Sequence, residues 1–169
     1  GFIFLAIFAS VEFNFSVAAF YVITYTVTTV SAISIITFIS SNKFDLVYIK
    51  DLKGLSSKSG LISVLFMITL LSTAGIPLTI GFYAKYLVLD ALVDQSMIIT
   101  AVIVVLFTVV GLYYYLRVIW FMFFETGFNS MIKSNGAINL IILSIIPFTI
   151  IAIFIFPNFA FNYLFAILT

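Results

Sequence analysis

Long apolar runs separated by short polar stretches divide the chain into segments of membrane-crossing length. A helix needs about 20 apolar residues to cross a hydrocarbon core of about 30 Å. Residues 17–39 meet this length without a single charge, and residues 95–124 and 137–156 form two further apolar runs. The run at residues 1–11 is long enough only for the end of a helix. Together with a longer apolar run at residues 61–93, the pattern predicts an all-α transmembrane bundle of about four full spans plus a partial first helix.

The remaining apolar run, residues 61–93, is too long for one straight span. Its 33 residues would measure about 50 Å as a continuous helix. Pro77 lies near its middle and has no N–H to donate to the carbonyl of Thr73, while Gly75 is free to adopt unusual backbone angles. Breaks of this kind inside membranes often lie at ion pathways. We therefore predict a broken helix, interrupted near residues 75–77.

The polar residues between the spans predict an orientation. Residues 40–60 carry four lysines, and apolar residues recur there every three or four positions, which is typical of an amphipathic segment at the headgroups. The opposite connections hold Glu12, Asp90 and Asp94 and neither Lys nor Arg. Because matrix and cytoplasmic loops gather positive charge, we expect residues 40–60 on that side and the C-terminus on the other. No internal repeat or flexible linker interrupts the pattern, so residues 1–169 are predicted to form a single transmembrane domain.

Composition excludes several classes of protein. Hydrophobic residues make up 64% of the chain and charged residues 8%, with a mean hydropathy of +1.35, whereas soluble domains carry roughly 25% charged residues. A chain without Cys or His has no ligands for a thiolate-bound iron–sulfur cluster, a structural zinc ion or a His-ligated haem. We therefore predict no cofactor and no metal in this chain. A net charge of +1 argues against a nucleic-acid partner. The 21 phenylalanines and abundant isoleucines suit AT-rich codons, as in organellar genes.

Lys85 is the strongest candidate for chemistry. It lies eight residues beyond Pro77 inside the apolar run, where inserting an ammonium group costs at least ~2.5 kcal/mol. Burial disfavours the charged form of an amine, which suits Lys85 to proton exchange, with Tyr83 and Tyr86 beside it as candidate accessory residues. In the alternative interpretation, its long side chain reaches the membrane surface near Asp90, five residues on. The residues alone favour neither interpretation.

Arg117 is a further candidate accessory residue. It follows the tyrosines at residues 113–115 and precedes Trp120 by three positions. Aromatic belts and arginines that extend to the headgroups are typical of membrane interfaces. The interfacial role is therefore favoured over a role in transport.

The run LSTAGIPLTIGFYAKYLVL, residues 71–89, resembles a motif of the antiporter-like membrane subunits of respiratory complex I. Within that family it is most similar to subunit 2, called subunit N in bacteria. Four further segments agree with that subunit in order and spacing, namely residues 1–6, 19–25, 111–118 and 155–157. The resemblance covers nearly the whole chain.

The resemblance implies a fold of fourteen helices with two inverted repeats of five, of which this chain would be the second half. It implies that Lys85 is the proton-carrying lysine of the second, exit-side half-channel, and that Gly75 and Pro77 mark the broken helix. The protein would be a non-redox, proton-pumping subunit of NADH:ubiquinone oxidoreductase. FMN, the iron–sulfur clusters and quinone would be bound by other subunits, and the partners would be the other membrane-arm subunits and lipid.

The first repeat is absent from the chain, so the chain is either a fragment or one piece of a subunit that is encoded in two. Because the composition suits AT-rich organellar codons, we predict a split subunit of a mitochondrial complex, in which a separate chain carries the N-terminal helices. Its place would be the mitochondrial inner membrane, with residues 40–60 in the matrix and the C-terminus on the intermembrane-space side. Two alternatives stay open. One is complex I subunit 5 or a subunit of a multi-subunit sodium/proton antiporter, and the other is a purely structural membrane subunit.

Overall fold

The computed structural model describes residues 1–9, 15–40 and 48–126, and these ranges contain helices and turns without β-strands. The predicted span at residues 137–156, the C-terminus and Glu12 lie outside the described residues. The helices of the described part are α1 (Phe2–Phe8), α2 (Ser16–Ser40), a 3-10 turn (Ile49–Leu52), α3 (Leu55–Lys58), α4 (Gly60–Ala74), α5 (Ile80–Asp94) and α6 (Ile98–Phe124).

Two of these helices, α2 and α6, have the length and apolar composition of membrane spans. They contain 25 and 27 residues, which corresponds to about 37 and 40 Å. The bounds of α2 extend the apolar run 17–39 by one residue at each end. In contrast, α6 begins at Ile98 rather than at residue 95. A tight turn precedes it, in which Ser96 has a φ of 62° and the N–H of Met97 donates to the carbonyl of Leu92 at 2.9 Å.

The long apolar run is divided between α4 and α5. Each has 15 residues and is about 22 Å long, too short to cross a bilayer alone. Because α4 ends at Ala74 and α5 begins at Ile80, the interruption extends over residues 75–79. Pro77 lies in this connection and is exposed. The predicted break in this helix is confirmed, and it is two residues longer at its end than the pattern indicated.

Helix α2 packs against both halves of the broken helix, and two apolar clusters lie at its opposite ends. The first cluster includes Ile35 of α2 and Phe66 of α4, both buried. The second includes Phe20 of α2 and Val88 of α5, also buried. Burial of such side chains contributes about 1.5–3 kcal/mol each in water, and in a membrane close packing takes over this role. The break at residues 75–79 lies between Leu70 of the first cluster and Ile80 of the second.

The described part of the lysine-rich segment, residues 48–60, forms short helical turns against the end of α6. Leu52 and Leu55 are buried in the first cluster, and the N–H of Gly54 donates to the carbonyl of Phe121 at 3.1 Å. The last carbonyls of a helix have no partner within it, so this bond satisfies one of those of α6. The ion pair between Lys53 and Glu125 ties the same two elements together.

Candidate functional site

The C-terminal end of α4 is closed by a glycine turn. Gly75 adopts a left-handed conformation with a φ of 81°, and its N–H is directed at the carbonyls of Leu71 and Ser72 at 3.0 Å. The N–H of Ile76 also donates to the carbonyl of Leu71, at 3.0 Å. This is the Schellman pattern of helix termination, in which the turn itself satisfies two of the last helical carbonyls. The carbonyls of the next two residues, Thr73 and Ala74, remain available to other donors.

Lys85 supplies those donors. Its Nζ donates to the carbonyl of Thr73 at 3.0 Å and to that of Ala74 at 2.7 Å. A helix C-terminus carries partial negative charge and favours a cation. Among the described residues, no carboxylate forms an ion pair with Lys85. The side chain is therefore directed back to the break in the helix, and not outward to the membrane surface near Asp90.

Two glycines allow this close arrangement. A Cβ on Gly75 would lie 2.7 Å from Cδ of Lys85 and 2.9 Å from its Nζ. A Cβ on Gly81 would lie only 1.8 Å from the carbonyl oxygen of Ser72, because α4 and α5 meet there. The N–H of Gly81 also donates to Oγ of Ser72 at 3.3 Å. Gly75 thus leaves room for the lysine, and Gly81 lets the two half-helices meet.

Lys85 borders two cavities of very different size. The larger has a volume of about 470 Å³ and reaches Phe2 of α1 and Thr108 of α6. The smaller has about 10 Å³ and is bordered by Thr24, Thr28 and other polar residues. A volume of roughly 10–15 Å³ holds one water molecule, so the smaller cavity is close to the size of a single water. Lys85 thus borders both a large cavity that reaches α1 and α6 and a water-sized cavity among hydroxyl-bearing residues of α2 and α4.

A row of buried hydroxyl groups runs along α2 from the small cavity. Thr24, Thr28 and Ser31 are each at least nine-tenths buried, and their spacing of four and three residues places them on one face of the helix. Oγ1 of Thr28 donates to the carbonyl of Thr24 at 3.0 Å. Oγ of Ser31 has no hydrogen-bond partner among the described residues. Beyond Ser31 the row ends at Ile35 in the first apolar cluster.

The hydroxyl row of Thr24, Thr28 and Ser31 was not recognised as a site in the sequence. The available signal was the spacing of polar residues within an otherwise apolar helix. Small polar residues at this period are also frequent where membrane helices pack closely. What distinguishes a functional row from ordinary helix packing is that Thr24 and Thr28 share the small cavity with Lys85.

The three candidate accessory residues do not border either cavity at Lys85. The ring of Tyr83 packs edge-on against Phe20, with centroids 5.9 Å apart. Tyr86 is half exposed. Arg117 lies on α6 with its guanidinium 5.8 Å from the ring centroid of Phe121, and it lines a separate groove. The structure brings Lys85 and Gly75 together and places the other candidates elsewhere.

Comparison with known proteins identifies relatives of this chain. Residues 1–111 match the family described as NADH:quinone oxidoreductase/Mrp antiporter, TM. The chain is 37% identical over 166 residues to NADH-quinone oxidoreductase subunit N of Cupriavidus taiwanensis, with 87% of this chain and 34% of the relative covered. It is 36% identical over 164 residues to the subunit N of Alkalilimnicola ehrlichii, with 90% of this chain and 33% of the relative covered.

The same relationship is seen in the fold. A chain of the solved structure described as respiratory complex I from Thermus thermophilus with bound aureothin matches with a TM-score of 0.81 at 23% identity, covering 95% of this chain and 36% of that chain. The all-α membrane fold is thereby confirmed. The chain spans about a third of the length of these relatives. The resemblance drawn from residues 71–89 is confirmed, and the chain belongs to the family of NADH:quinone oxidoreductase/Mrp antiporter transmembrane proteins.

Proposed function

We propose that this chain forms part of the second half of an antiporter-like subunit in a proton-pumping NADH:quinone oxidoreductase, and that Lys85 carries protons through it. The observation that supports this proposal is the position of Lys85. Its Nζ donates to the last two carbonyls of α4 at the helix break, and its side chain borders two cavities. No redox step is placed in this chain, which has neither Cys nor His. FMN, iron–sulfur clusters and quinone are assigned to other subunits.

The hydrogen bonds of Lys85 support a cycle of two protonation states. An ammonium has three N–H donors and no acceptor. Two donors are used by the carbonyls of Thr73 and Ala74, so one remains for a water in a cavity. Loss of the proton leaves an amine with a lone pair that accepts a proton again. A charge change in a neighbouring subunit that alters the stability of the ammonium would drive release and uptake.

We further propose an orientation. Lys50, Lys53 and Arg117 lie at the end of the bundle where α6 ends, and Asp90 and Asp94 lie at the end of α5. By the positive-inside rule the lysine end faces the matrix or cytoplasm. The Phe-rich composition supports a mitochondrial inner membrane. The named relatives are bacterial, so the mitochondrial location stays a prediction.

The assignment is tested by isolating the complex that contains this chain after mild detergent extraction. Mass spectrometry is expected to find NADH dehydrogenase subunits, together with a separate chain that carries the N-terminal helices of the subunit. Reconstituted in vesicles, the complex should acidify one compartment during NADH oxidation at equal rates with and without sodium. Absence of these subunits would contradict the assignment. A requirement for sodium would favour the antiporter alternative.

Replacement of Thr28 by valine tests the hydroxyl row. The change keeps the shape of the side chain but removes a hydroxyl beside the small cavity. We expect proton pumping to fall about five-fold, because a lost polar contact of ~1 kcal/mol corresponds to that factor. Thr26→Val is the matched control in the same helix, since Thr26 is exposed and its hydroxyl donates only to Val22. Equal pumping by the two variants would mean that the hydroxyl of Thr28 contributes nothing to proton transfer.

A further inference from the structure

A groove lined by two cationic side chains lies at the lysine end of α6, apart from the cavities of Lys85. It has a volume of about 500 Å³ and is lined by Tyr48, Ile49, Lys50, Arg117 and Phe121. Two of these five residues are cations, and the other three supply apolar or aromatic surface. A groove of this composition at the end of a membrane helix combines attraction for an anion with a surface for hydrocarbon.

The walls of the groove are held in place by contacts between the 3-10 turn and α6. Gly54 lies four residues after Lys50, and its N–H donates to the carbonyl of Phe121 at 3.1 Å. Lys53 forms an ion pair with Glu125, and its Nζ lies 5.3 Å from the ring centroid of Phe121. The guanidinium of Arg117 lies over the same ring at 5.8 Å. Lys50 and Arg117 therefore reach the groove from two elements that are fixed to each other.

The charges around the groove are unbalanced. The carboxylate of Asp51 accepts a hydrogen bond from the N–H of Tyr48 at 2.7 Å, and that of Glu125 is paired with Lys53. Within the described parts of the chain, neither Lys50 nor Arg117 forms an ion pair. Two cations near a low-dielectric surface attract an anion more strongly than they would in water. Among the described residues around the groove, the three cations Lys50, Lys53 and Arg117 outnumber the carboxylates of Asp51 and Glu125, so the groove carries a net positive charge at the membrane boundary.

An apolar strip leads from the groove along α6. Three residues form this strip, and each is more than two-fifths exposed, namely Tyr113, Leu116 and Trp120. Their spacing of three and four residues places them on one face of α6, next to Arg117 and Phe121 of the groove. Tryptophan and tyrosine prefer the level of the headgroups. A soluble anion would use the cations alone, whereas a lipid would also cover this strip with its acyl chains.

We propose that the groove binds the headgroup phosphate of an anionic phospholipid between Lys50 and Arg117, with the acyl chains along α6. The proposal rests on the membrane placement given above and not on the role of Lys85, so that either can fail alone. Basic pockets beside membrane helices on the matrix or cytoplasmic side bind such headgroups elsewhere, with about 1 kcal/mol from each cation, which is a factor of about five in binding.

Trp120 makes the test direct because it is the chain's single tryptophan and lies three residues from Arg117. The full chain is reconstituted in vesicles of phosphatidylcholine and phosphatidylglycerol at one fixed ratio. In one preparation the phosphatidylglycerol carries bromine, which quenches tryptophan fluorescence, and in the other the phosphatidylcholine carries it. Surface charge is then identical in both. We expect brominated phosphatidylglycerol to quench Trp120 more strongly than its mole fraction in the lipid would predict.

Variants of the two cations should remove this preference. Lys50→Gln and Arg117→Gln are each expected to lower the relative affinity for phosphatidylglycerol about five-fold. Lys58→Gln is the matched control, because Lys58 is exposed on α3 and does not line the groove. Circular dichroism is used to verify that each variant keeps the helix content of the unmodified chain. Native mass spectrometry of the intact complex provides a second measurement, in which Lys50→Gln should lose one bound phosphatidylglycerol.

Three results would overturn the proposal. Quenching that follows the mole fraction of either labelled lipid would mean that no lipid is selected. A preference that survives in Lys50→Gln and Arg117→Gln would place the selected lipid elsewhere. Loss of the preference in inorganic phosphate, but not in chloride of the same ionic strength, would identify a site for free anions.

Discussion

Replacement of Lys85 by alanine is expected to stop proton transfer through this half of the subunit while the complex still assembles. A positioned side chain that takes part in proton transfer contributes at least about 100-fold to its rate, and no other described cationic side chain borders the two cavities. Proton pumping is measured as acidification of vesicles per NADH oxidised. Native gel electrophoresis is used to verify that the complex is intact.

Lys85→Arg separates a proton carrier from a structural cation. Nζ of Lys85 stabilises the end of α4 by donating to Thr73 and Ala74, and an arginine supplies donors and charge for the same carbonyls. A guanidinium in a protein keeps its proton, so it cannot release one into either cavity. We expect Lys85→Arg to assemble at least as well as Lys85→Ala and to pump no better.

The matched control for these two variants is Lys58→Ala, at an exposed position on α3, which should pump normally. Full pumping by Lys85→Arg would mean that only the positive charge is needed. Full pumping by an assembled Lys85→Leu complex would favour the purely structural alternative. Either outcome would remove Lys85 from the proton path.

The break in the long helix could be predicted because its causes are local. A proline without an N–H and a glycine free to adopt positive φ act on their own turn of helix, whatever packs around them. The result is the glycine turn at Gly75. The start of α6 was harder to predict, because Gln95 and Ser96 follow α5 without a proline or glycine. The turn there depends on the bond from Met97 to the carbonyl of Leu92.

The surroundings of Lys85 could not be predicted from local pattern. The sequence left its side chain equally free to extend towards Asp90 or to remain buried, since a lysine stem is long enough for both. The carbonyls that attract it belong to α4, eleven and twelve residues earlier. They became acceptors only because the glycine turn satisfies Leu71 and Ser72 and leaves Thr73 and Ala74 open.

The lysine-rich segment has one feature that local pattern could predict and one that it could not. Its period correctly placed Leu52 and Leu55 on a buried face and Lys50 and Lys58 on an exposed one, whereas Tyr48 of the same period is exposed. Its attachment to α6 through Gly54 and Lys53 depends on a helix more than 60 positions further along the chain. Contacts over such separations have no signature in hydrophobic periodicity. Periodicity alone leaves Arg117 open as an accessory residue of Lys85, while the neighbouring aromatic residues favour the interfacial role, and Arg117 lines a different groove.

Gly81→Ala is the second change expected to have a large effect, and it acts on assembly. The added methyl group would lie 1.8 Å from the carbonyl oxygen of Ser72, which belongs to backbone and cannot rotate away. The half-helices α4 and α5 would have to separate, with loss of the bond from the Gly81 N–H to Oγ of Ser72. Overpacking of this kind costs about 1–3 kcal/mol, occasionally more, and we expect at least the upper value. The measurement is the thermal stability of the purified complex.

Gly111→Ala is the matched control for this prediction, because the same methyl group on α6 would meet no atom within 4 Å. Alanine is a better helix former than glycine by about 1 kcal/mol, so this variant should be as stable as the unmodified protein or slightly more so. If both variants behaved alike, the close contact of α4 and α5 at Ser72 would be wrong. A destabilised Gly81→Ala beside a stable Gly111→Ala would instead tie the position of Lys85 to that contact, since Lys85 lies one turn beyond Gly81 and its acceptors Thr73 and Ala74 immediately follow Ser72.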